Sequence, residues 1–96
     1  MSTELKAQLH EDLTISIKAR DQLKSATLRM VLTAITNEEV AGKEVKVLTD
    51  EEVLTVLARE AKKRRESATA YTEAHRPELA ERENSELEVI SQYLPT

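Results

Sequence analysis

Apolar residues recur every three or four positions along most of this 96-residue chain, which is the period of an α-helix. A β-strand would need apolar and polar residues in alternation, and only a short stretch around Val45 shows that pattern. The sequence has one glycine, two prolines and no Phe or Trp, a composition that favours helices joined by short turns. We therefore predict an all-α fold, a small four-helix bundle-like domain.

The first half of the chain is predicted to contain two helices and a loop. Roughly residues 3–19 and 22–41 carry apolar side chains at helical spacing. The second helix ends beside Gly42, the only glycine, which is predicted to adopt the left-handed conformation common at helix ends. The stretch 42–48 is predicted to be a packed loop, because a lone strand would have no partner. The apolar positions expected to face the core are Leu5, Leu9, Leu13, Ile17, Leu23, Leu28, Val31, Leu32 and Ile35.

The second half is predicted to contain two further helices. Thr49 and Glu52 form a capping-box sequence, which predicts the start of a long third helix that runs to Ala74. Pro77 suits the first turn of a fourth helix, and Pro95 is expected to end it. The apolar positions expected to face the core are Val53, Leu57, Ala61, Ala68, Tyr71, Leu79, Ala80, Leu87, Ile90 and Leu94.

Acidic residues outnumber basic ones by 18 to 14, and the net charge at pH 7 is −4. This balance argues against phosphate binding over the whole surface, so any RNA contact must be local and no DNA partner is expected. The chain shows neither a long apolar segment nor a signal-peptide pattern, which predicts a soluble, cytoplasmic protein with no membrane partner. No pattern indicates an oligomeric state.

The residue types that carry most enzyme chemistry are scarce. The chain has no Cys, which excludes a disulfide, a thiolate zinc site and a cysteine nucleophile. His10 and His75 lack a second ligand at helical spacing, and one glycine cannot form a phosphate-binding loop. We therefore predict no metal, no cofactor and no catalytic residue. Tyr71 and Tyr93 lie at the ends of apolar stripes and are predicted to pack in the core.

The run 62–65 is the most basic part of the chain, but four consecutive helical residues cannot share one face. At about 100° per residue, Arg59, Lys62 and Lys63 fall on one side of the third helix. These three residues are the candidate RNA-binding patch. The alternative interpretation is an ordinary solvated face without a ligand.

Arg64 falls on the apolar stripe of the third helix, where its guanidinium would lose water. Helical spacing also places Glu39 and Glu83 on inward-facing lines of the second and fourth helices. We therefore predict a buried ion network of Arg64, Glu39 and Glu83. It either fixes the helix register at little net gain in stability or supplies a paired acid and base in a pocket.

An ordered set of short segments carries a resemblance to a known family. The segments are Thr27-Leu28-Arg29-Met30, Ala34-Ile35, Asn37-Glu38-Glu39, Leu48-Thr49-Asp50-Glu51-Glu52-Val53, Lys63-Arg64-Arg65-Glu66-Ser67, Tyr71, Leu79-Ala80, Glu83, Glu86 and Tyr93-Leu94-Pro95. In this order they resemble the YqeY family, whose members are similar to the tail region of GatB, the B subunit of the tRNA-dependent amidotransferase. The resemblance covers nearly the whole chain and implies that residues 1–96 form one helical domain like the YqeY N-terminal domain.

The resemblance also implies a functional class. That class is carbon–nitrogen ligase activity with glutamine as the amide donor, with tRNA or an amidotransferase–aminoacyl-tRNA complex as partner. In the amidotransferase the reacting groups lie outside the part that this chain resembles, so the implied role is a non-catalytic accessory or binding module. The family's smaller C-terminal helical domain, which resembles the part of GatB thought to approach tRNA, is expected to be absent.

A second function remains open from the residues alone. The predicted fourth helix is acidic and could contact a basic protein, which would make the chain a protein-interaction module unrelated to tRNA. The acidic residues on this helix are Glu78, Glu81, Glu86 and Glu88.

Overall fold

Four α-helices form the fold in a computed structural model of the chain, which describes residues 4–95. The helices are α1 (Glu4–Lys18), α2 (Gln22–Glu39), α3 (Asp50–Glu73) and α4 (Pro77–Ser91). Within residues 4–95 there is no strand, and the predicted all-α class is confirmed. None of the helices in this range is long and apolar enough to cross a bilayer.

The helices form two hairpins that share one core. Three-residue connections join α1 to α2 and α3 to α4, and the helices of each pair pack against each other. α2 also contacts α3 and α4, which brings the two hairpins together. Burying the apolar stripes of all four helices supplies the main driving force for folding. The side chains of the main core are Leu9, Leu28, Val31, Leu32, Ile35, Leu48, Val53, Val56, Leu57, Ala61, Val89 and Ile90.

The sequence-based assignment of the α1 face is wrong at its end. Ile17 is 46% exposed, whereas the neighbouring Ser16 is buried and its hydroxyl lies 3.0 Å from that of Ser25. Positions four apart in a helix advance by about 400°, so a stripe defined by that spacing drifts about 40° per step. Three steps from Leu5, the drift has carried Ile17 out of the core and brought Ser16 into it.

The two short connections use the same helix-ending geometry. Arg20 and His75 have φ values of 59° and 61°, the left-handed conformation that glycine adopts most easily. In the first turn the Arg20 and Asp21 amides donate to carbonyl groups of the last turn of α1, the pattern of a Schellman motif. The prediction of a left-handed Gly42 is wrong, because no glycine within residues 4–95 has a positive φ.

The loop between α2 and α3 is packed only at its end. Leu48 is fully buried, but Val45 and Val47 are 77% and 60% exposed. The expectation of a packed loop is therefore wrong for most of the segment. α3 then begins with the predicted capping box, in which Thr49 and Glu52 exchange side-chain and backbone hydrogen bonds.

The predicted start of α4 is confirmed and its predicted end is wrong. Pro77 occupies the first helical position, where its missing N–H costs nothing. α4 ends at Ser91, and the amides of Tyr93 and Leu94 donate to carbonyl groups three residues earlier in a tightened turn. Pro95 disfavours helical dihedrals for the residue before it, which explains why regular helix stops short of Leu94.

Candidate functional site

Arg64 on α3 lies at the centre of a buried charge cluster. Its Nε is 3.1 Å from Glu86 Oε1, its Nη2 is 3.3 Å from Glu60 Oε1, and a longer 3.9 Å contact joins Nε to Glu83 Oε1. The Arg64 side chain is 12% exposed. Nη2 also donates to the sulfur of Met30, which links the cluster to α2. The cluster therefore connects three helices through one guanidinium.

Two exposed cations complete this group, which we call the Arg64 cluster. Lys63 Nζ is 3.2 Å from Glu60, and Arg82 Nε is 3.3 Å from Glu86. The formal charges of the six side chains therefore sum to zero. The members of the Arg64 cluster are Glu60, Lys63, Arg64, Arg82, Glu83 and Glu86.

The Arg64 cluster has the character of a structural ion network. Arg64 Nε and Glu83 Oε1 are buried and lack a hydrogen-bond partner within residues 4–95, so the 3.1 Å contact to Glu86 is Coulombic without good alignment. Among the described residues, Glu60 lines an adjacent surface cavity of about 180 Å³, and neither Arg64 nor Glu83 does. The cluster thus links α3 to α4 through ion pairs and to α2 through Met30.

Glu39 does not belong to the Arg64 cluster, and that part of the predicted network is wrong. Its carboxylate accepts from Lys6 Nζ at 2.8 and 2.9 Å and from the Leu48 amide at 3.2 Å. The predicted burial is correct, because Glu39 is only 8% exposed. The hydrogen bond from Lys6 lowers the pKa of Glu39, burial opposes that shift, and the Leu48 amide adds to it. Glu39 therefore ties α1 and the end of the loop to α2.

The three residues of the predicted RNA-binding patch are all exposed on α3. Arg59 Nη2 lies 3.5 Å from Glu38 Oε2, and Lys63 contacts Glu60 as described above. Lys62 forms no ion pair within residues 4–95. We call Arg59, Lys62 and Lys63 the α3 basic face.

The remaining candidates occupy ordinary structural positions. Tyr93 is half-buried and its hydroxyl donates to Asp12 Oδ2 at 2.5 Å, which fastens the chain after α4 to α1. Burial raises the pKa of Tyr93, and the hydrogen bond to Asp12 raises it further by a smaller amount. His10 is exposed on α1, and His75 lies in the turn after α3 in a left-handed conformation. Within residues 4–95, no three His, Asp or Glu side chains are grouped to hold a metal ion.

Sequence reasoning missed several partners in these networks. Glu60 and Arg64, and likewise Arg82 and Glu86, are four residues apart, a helical ion-pair spacing that could have revealed them. Lys6 is 33 positions from Glu39, and no local pattern indicates that pairing.

The segments that carry the resemblance lie on α2, α3 and α4, just before α3 and just after α4. A family model described as "Yqey-like protein" matches residues 6–96 of the chain. The chain belongs to the YqeY family. A related protein of Schizosaccharomyces pombe, the uncharacterized protein C22F3.15, is 37% identical over 95% of this YqeY chain and 72% of its own length.

Other relatives of this YqeY chain are longer proteins. "Altered inheritance of mitochondria protein 41, mitochondrial" is 34% identical in Vanderwaltozyma polyspora and 33% identical in Kluyveromyces lactis, over 90% and 91% of the chain. The chain spans 46% of the length of each of these two relatives. Their names place them in mitochondria, which contradicts the sequence-based prediction of a cytoplasmic protein.

Proposed function

We propose that this YqeY chain is a non-catalytic binding module that assists a tRNA-dependent process and contacts tRNA through the α3 basic face. Amidation of aminoacyl-tRNA is the process that the resemblance to GatB favours. The chain would then serve a carbon–nitrogen ligase that uses glutamine as amide donor, without carrying the reacting groups itself.

The exposure of the α3 basic face is the observation that carries this proposal. The side chains of Arg59 and Lys63 are 52% and 61% exposed, and Lys62 is exposed as well. The contact between Arg59 and Glu38 joins two exposed side chains, a type of ion pair whose typical net stability is about 0–1 kcal/mol, whereas Lys63 contacts the buried Glu60. A phosphate oxygen can therefore replace the Glu38 carboxylate beside Arg59 at little cost, Lys62 is free of such a pair within residues 4–95, and each phosphate contact releases a counterion from the RNA.

The Arg64 cluster supports the non-catalytic part of the proposal. Its three carboxylates each contact at least one cation, and Arg64 is shared among all of them. General acid–base catalysis needs a side chain that can reach a substrate proton. These side chains are instead occupied with one another between α3 and α4.

A charge-removal experiment tests the tRNA contact. The triple variant R59Q/K62Q/K63Q removes the α3 basic face, and K18Q/K43Q/R65Q removes three other exposed cations with the same change in net charge. In a fluorescence anisotropy titration of labelled bulk tRNA, we expect the first triple to weaken binding by about tenfold or more and the control to change it little. Equal losses in both triples, or no binding by the wild-type chain, would contradict the proposal.

A protein partner is the second candidate function, and the loop after α2 favours it. Val40, Val45 and Val47 are 53%, 77% and 60% exposed, so the segment presents apolar side chains to solvent. The acidic surface of α4 is smaller than the sequence suggested, because Glu86 is buried against Arg64 and Arg82.

The partner to test is a purified tRNA-dependent amidotransferase, immobilised on a biosensor. Loss of binding in V45S/V47S, with tRNA binding intact, would favour this second function. Failure of the wild-type chain to bind the amidotransferase would exclude this enzyme as the partner.

A further inference from the structure

A cleft of about 560 Å³ opens beside the turn between α1 and α2, and arginines from three parts of the fold line it. Arg20 comes from the turn, Arg29 from α2 and Arg82 from α4. Among the residues that the structure describes, seven line the cleft and none of them is acidic. In a chain with a net charge of −4, this is a local concentration of positive charge.

The guanidinium groups in this cleft have unused hydrogen-bonding capacity. Arg20 and Arg29 are exposed, and no carboxylate of residues 4–95 forms an ion pair with either of them. Arg82 uses Nε to contact Glu86, and its two terminal nitrogens have no partner within the described residues. Glu86 is itself held by Arg64, so a buried acid positions Arg82 at the edge of the cleft.

The start of α2 adds weaker groups of the same polarity. Gln22, the first residue of α2, lines the cleft, and the first amides of a helix carry a partial positive charge. Asp21, the adjacent acid in the sequence, is engaged as the helix cap, since its side chain accepts from the Lys24 amide. The buried Ser25 hydroxyl already bonds to Ser16 and to the Asp21 carbonyl, so it supports the wall of the cleft.

We infer that this cleft binds a phosphate group. An arginine presents a planar set of N–H donors that matches two phosphate oxygens at once, and a charged acceptor strengthens these bonds. The ligand is either a phosphomonoester on a small molecule or a phosphodiester of an RNA strand. Both present anionic phosphate oxygens to a guanidinium group.

The inference is independent of the proposed tRNA contact. The cleft and the α3 basic face share no residue. Losing tRNA binding in the R59Q/K62Q/K63Q variant while the cleft still binds phosphate would separate the two sites. Loss of phosphate binding in a cleft variant that still binds tRNA would also separate them.

Backbone geometry supplies a variant that removes a cleft arginine without harming the fold. Arg20 has a φ of 59°, so Arg20→Gly removes the guanidinium and relieves the left-handed backbone at once. His75→Gly is the matched control, because it relieves the same left-handed backbone strain at the turn between α3 and α4. That turn does not line the cleft. Arg29→Gln removes a second arginine, and Arg65→Gln is its control on an exposed part of α3.

The test is an NMR titration of the isotopically labelled chain with three probes. The probes are sodium phosphate, a uridine hexanucleotide with a 5′-phosphate and the same hexanucleotide without it, each compared with sodium chloride at equal ionic strength. We expect saturable shifts at the amides of Arg20, Gln22 and Arg29 with at least one probe. Arg20→Gly and Arg29→Gln should weaken that binding by about tenfold, while both controls keep the wild-type affinity.

The pattern across probes identifies the source of the phosphate. If inorganic phosphate and the 5′-phosphorylated hexanucleotide bind but the unphosphorylated hexanucleotide does not, the ligand is a phosphomonoester. If both hexanucleotides bind equally, the ligand is the RNA backbone. Either pattern supports the cleft as a phosphate site. Shifts that fail to saturate with every probe, or equal affinity in the arginine variants and their controls, would overturn it.

Discussion

At the scale of single residues, we expect the stability of this fold to depend strongly on Arg64. Replacing it by Ala leaves three carboxylates between α3 and α4 with no buried cation between them. Breaking one partner of a buried ion pair typically costs about 3–5 kcal/mol, and we expect Arg64→Ala to fall in this range. The measurement is the free energy of unfolding from a urea titration.

Arg59→Ala is the control for that experiment. Arg59 is an exposed arginine on the same helix with a single 3.5 Å contact to Glu38, so its loss should cost less than about 1 kcal/mol. An unfolding midpoint for Arg64→Ala that matches the Arg59→Ala midpoint would show that the cluster does not stabilise the fold as described.

Glu39 predicts a pH dependence of stability. Its pKa in the folded chain is lowered from 4.5, first because Lys6 donates to its carboxylate. A lowered pKa means that the folded state favours the charged form, so the stabilisation is complete above pH 4.5 and is lost as pH falls through the folded-state value. The stability advantage of wild type over Glu39→Gln should therefore be largest near neutral pH and shrink in acid.

Thermal unfolding of both chains across pH 3–7 measures this difference. Glu44→Gln, in the exposed loop, is the control that removes a carboxylate without breaking the Lys6 pair. A Glu39→Gln difference that stays constant over the whole range would contradict the role assigned to the pair.

At the scale of helices and turns, two of residues 4–95 adopt the left-handed conformation, Arg20 and His75, and neither is a glycine. Both lie just after the end of a helix. A non-glycine residue in this conformation is strained by about 1–2 kcal/mol. Glycine removes this strain, but it also raises the entropy of the unfolded chain, which offsets part of the gain in stability. We expect His75→Gly to raise the free energy of unfolding by about 0.5–1 kcal/mol. A destabilised His75→Gly variant in chemical denaturation would contradict this turn geometry.

Gly42 should behave in the opposite way from the expectation drawn from sequence. Its φ is not positive, and a Cβ built there would meet the Glu44 carbonyl oxygen at an ordinary 3.8 Å. Gly42→Ala should therefore be neutral or stabilising by up to about 1 kcal/mol, because Ala reduces the entropy of the unfolded chain. Destabilisation by this variant would show that the loop needs glycine.

Local sequence patterns predicted the elements well because helices are specified locally. Apolar spacing located all four helices, and Thr49 with Glu52, and Pro77, marked two of their starts. Contacts between elements were harder to predict, because the sequence does not indicate which inward-facing acid pairs with which cation. Glu39 was correctly placed in the interior but assigned to Arg64 instead of Lys6.

The candidate sites show the same limit. Helical spacing identified the α3 basic face, because its residues share one helix. The arginine cleft combines a turn with two helices that are far apart in the sequence, and only the packed fold brings them together.

At the scale of the whole molecule, an acidic domain carries two separate basic regions joined by buried charges. Lys63 of the α3 basic face and Arg82 of the cleft both belong to the Arg64 cluster, which braces one end of each region. This arrangement suits a module that positions a polyanion on a rigid helical surface.

The most direct test of the binding function is a titration of fluorescently labelled bulk tRNA with the wild-type chain at about 50 and about 200 mM salt. Because phosphate contacts release counterions, the account predicts saturable binding at the lower salt that weakens clearly at the higher salt. Absence of binding at the lower salt, or an affinity that does not change with salt, would contradict the proposal that this YqeY chain binds tRNA through its basic side chains.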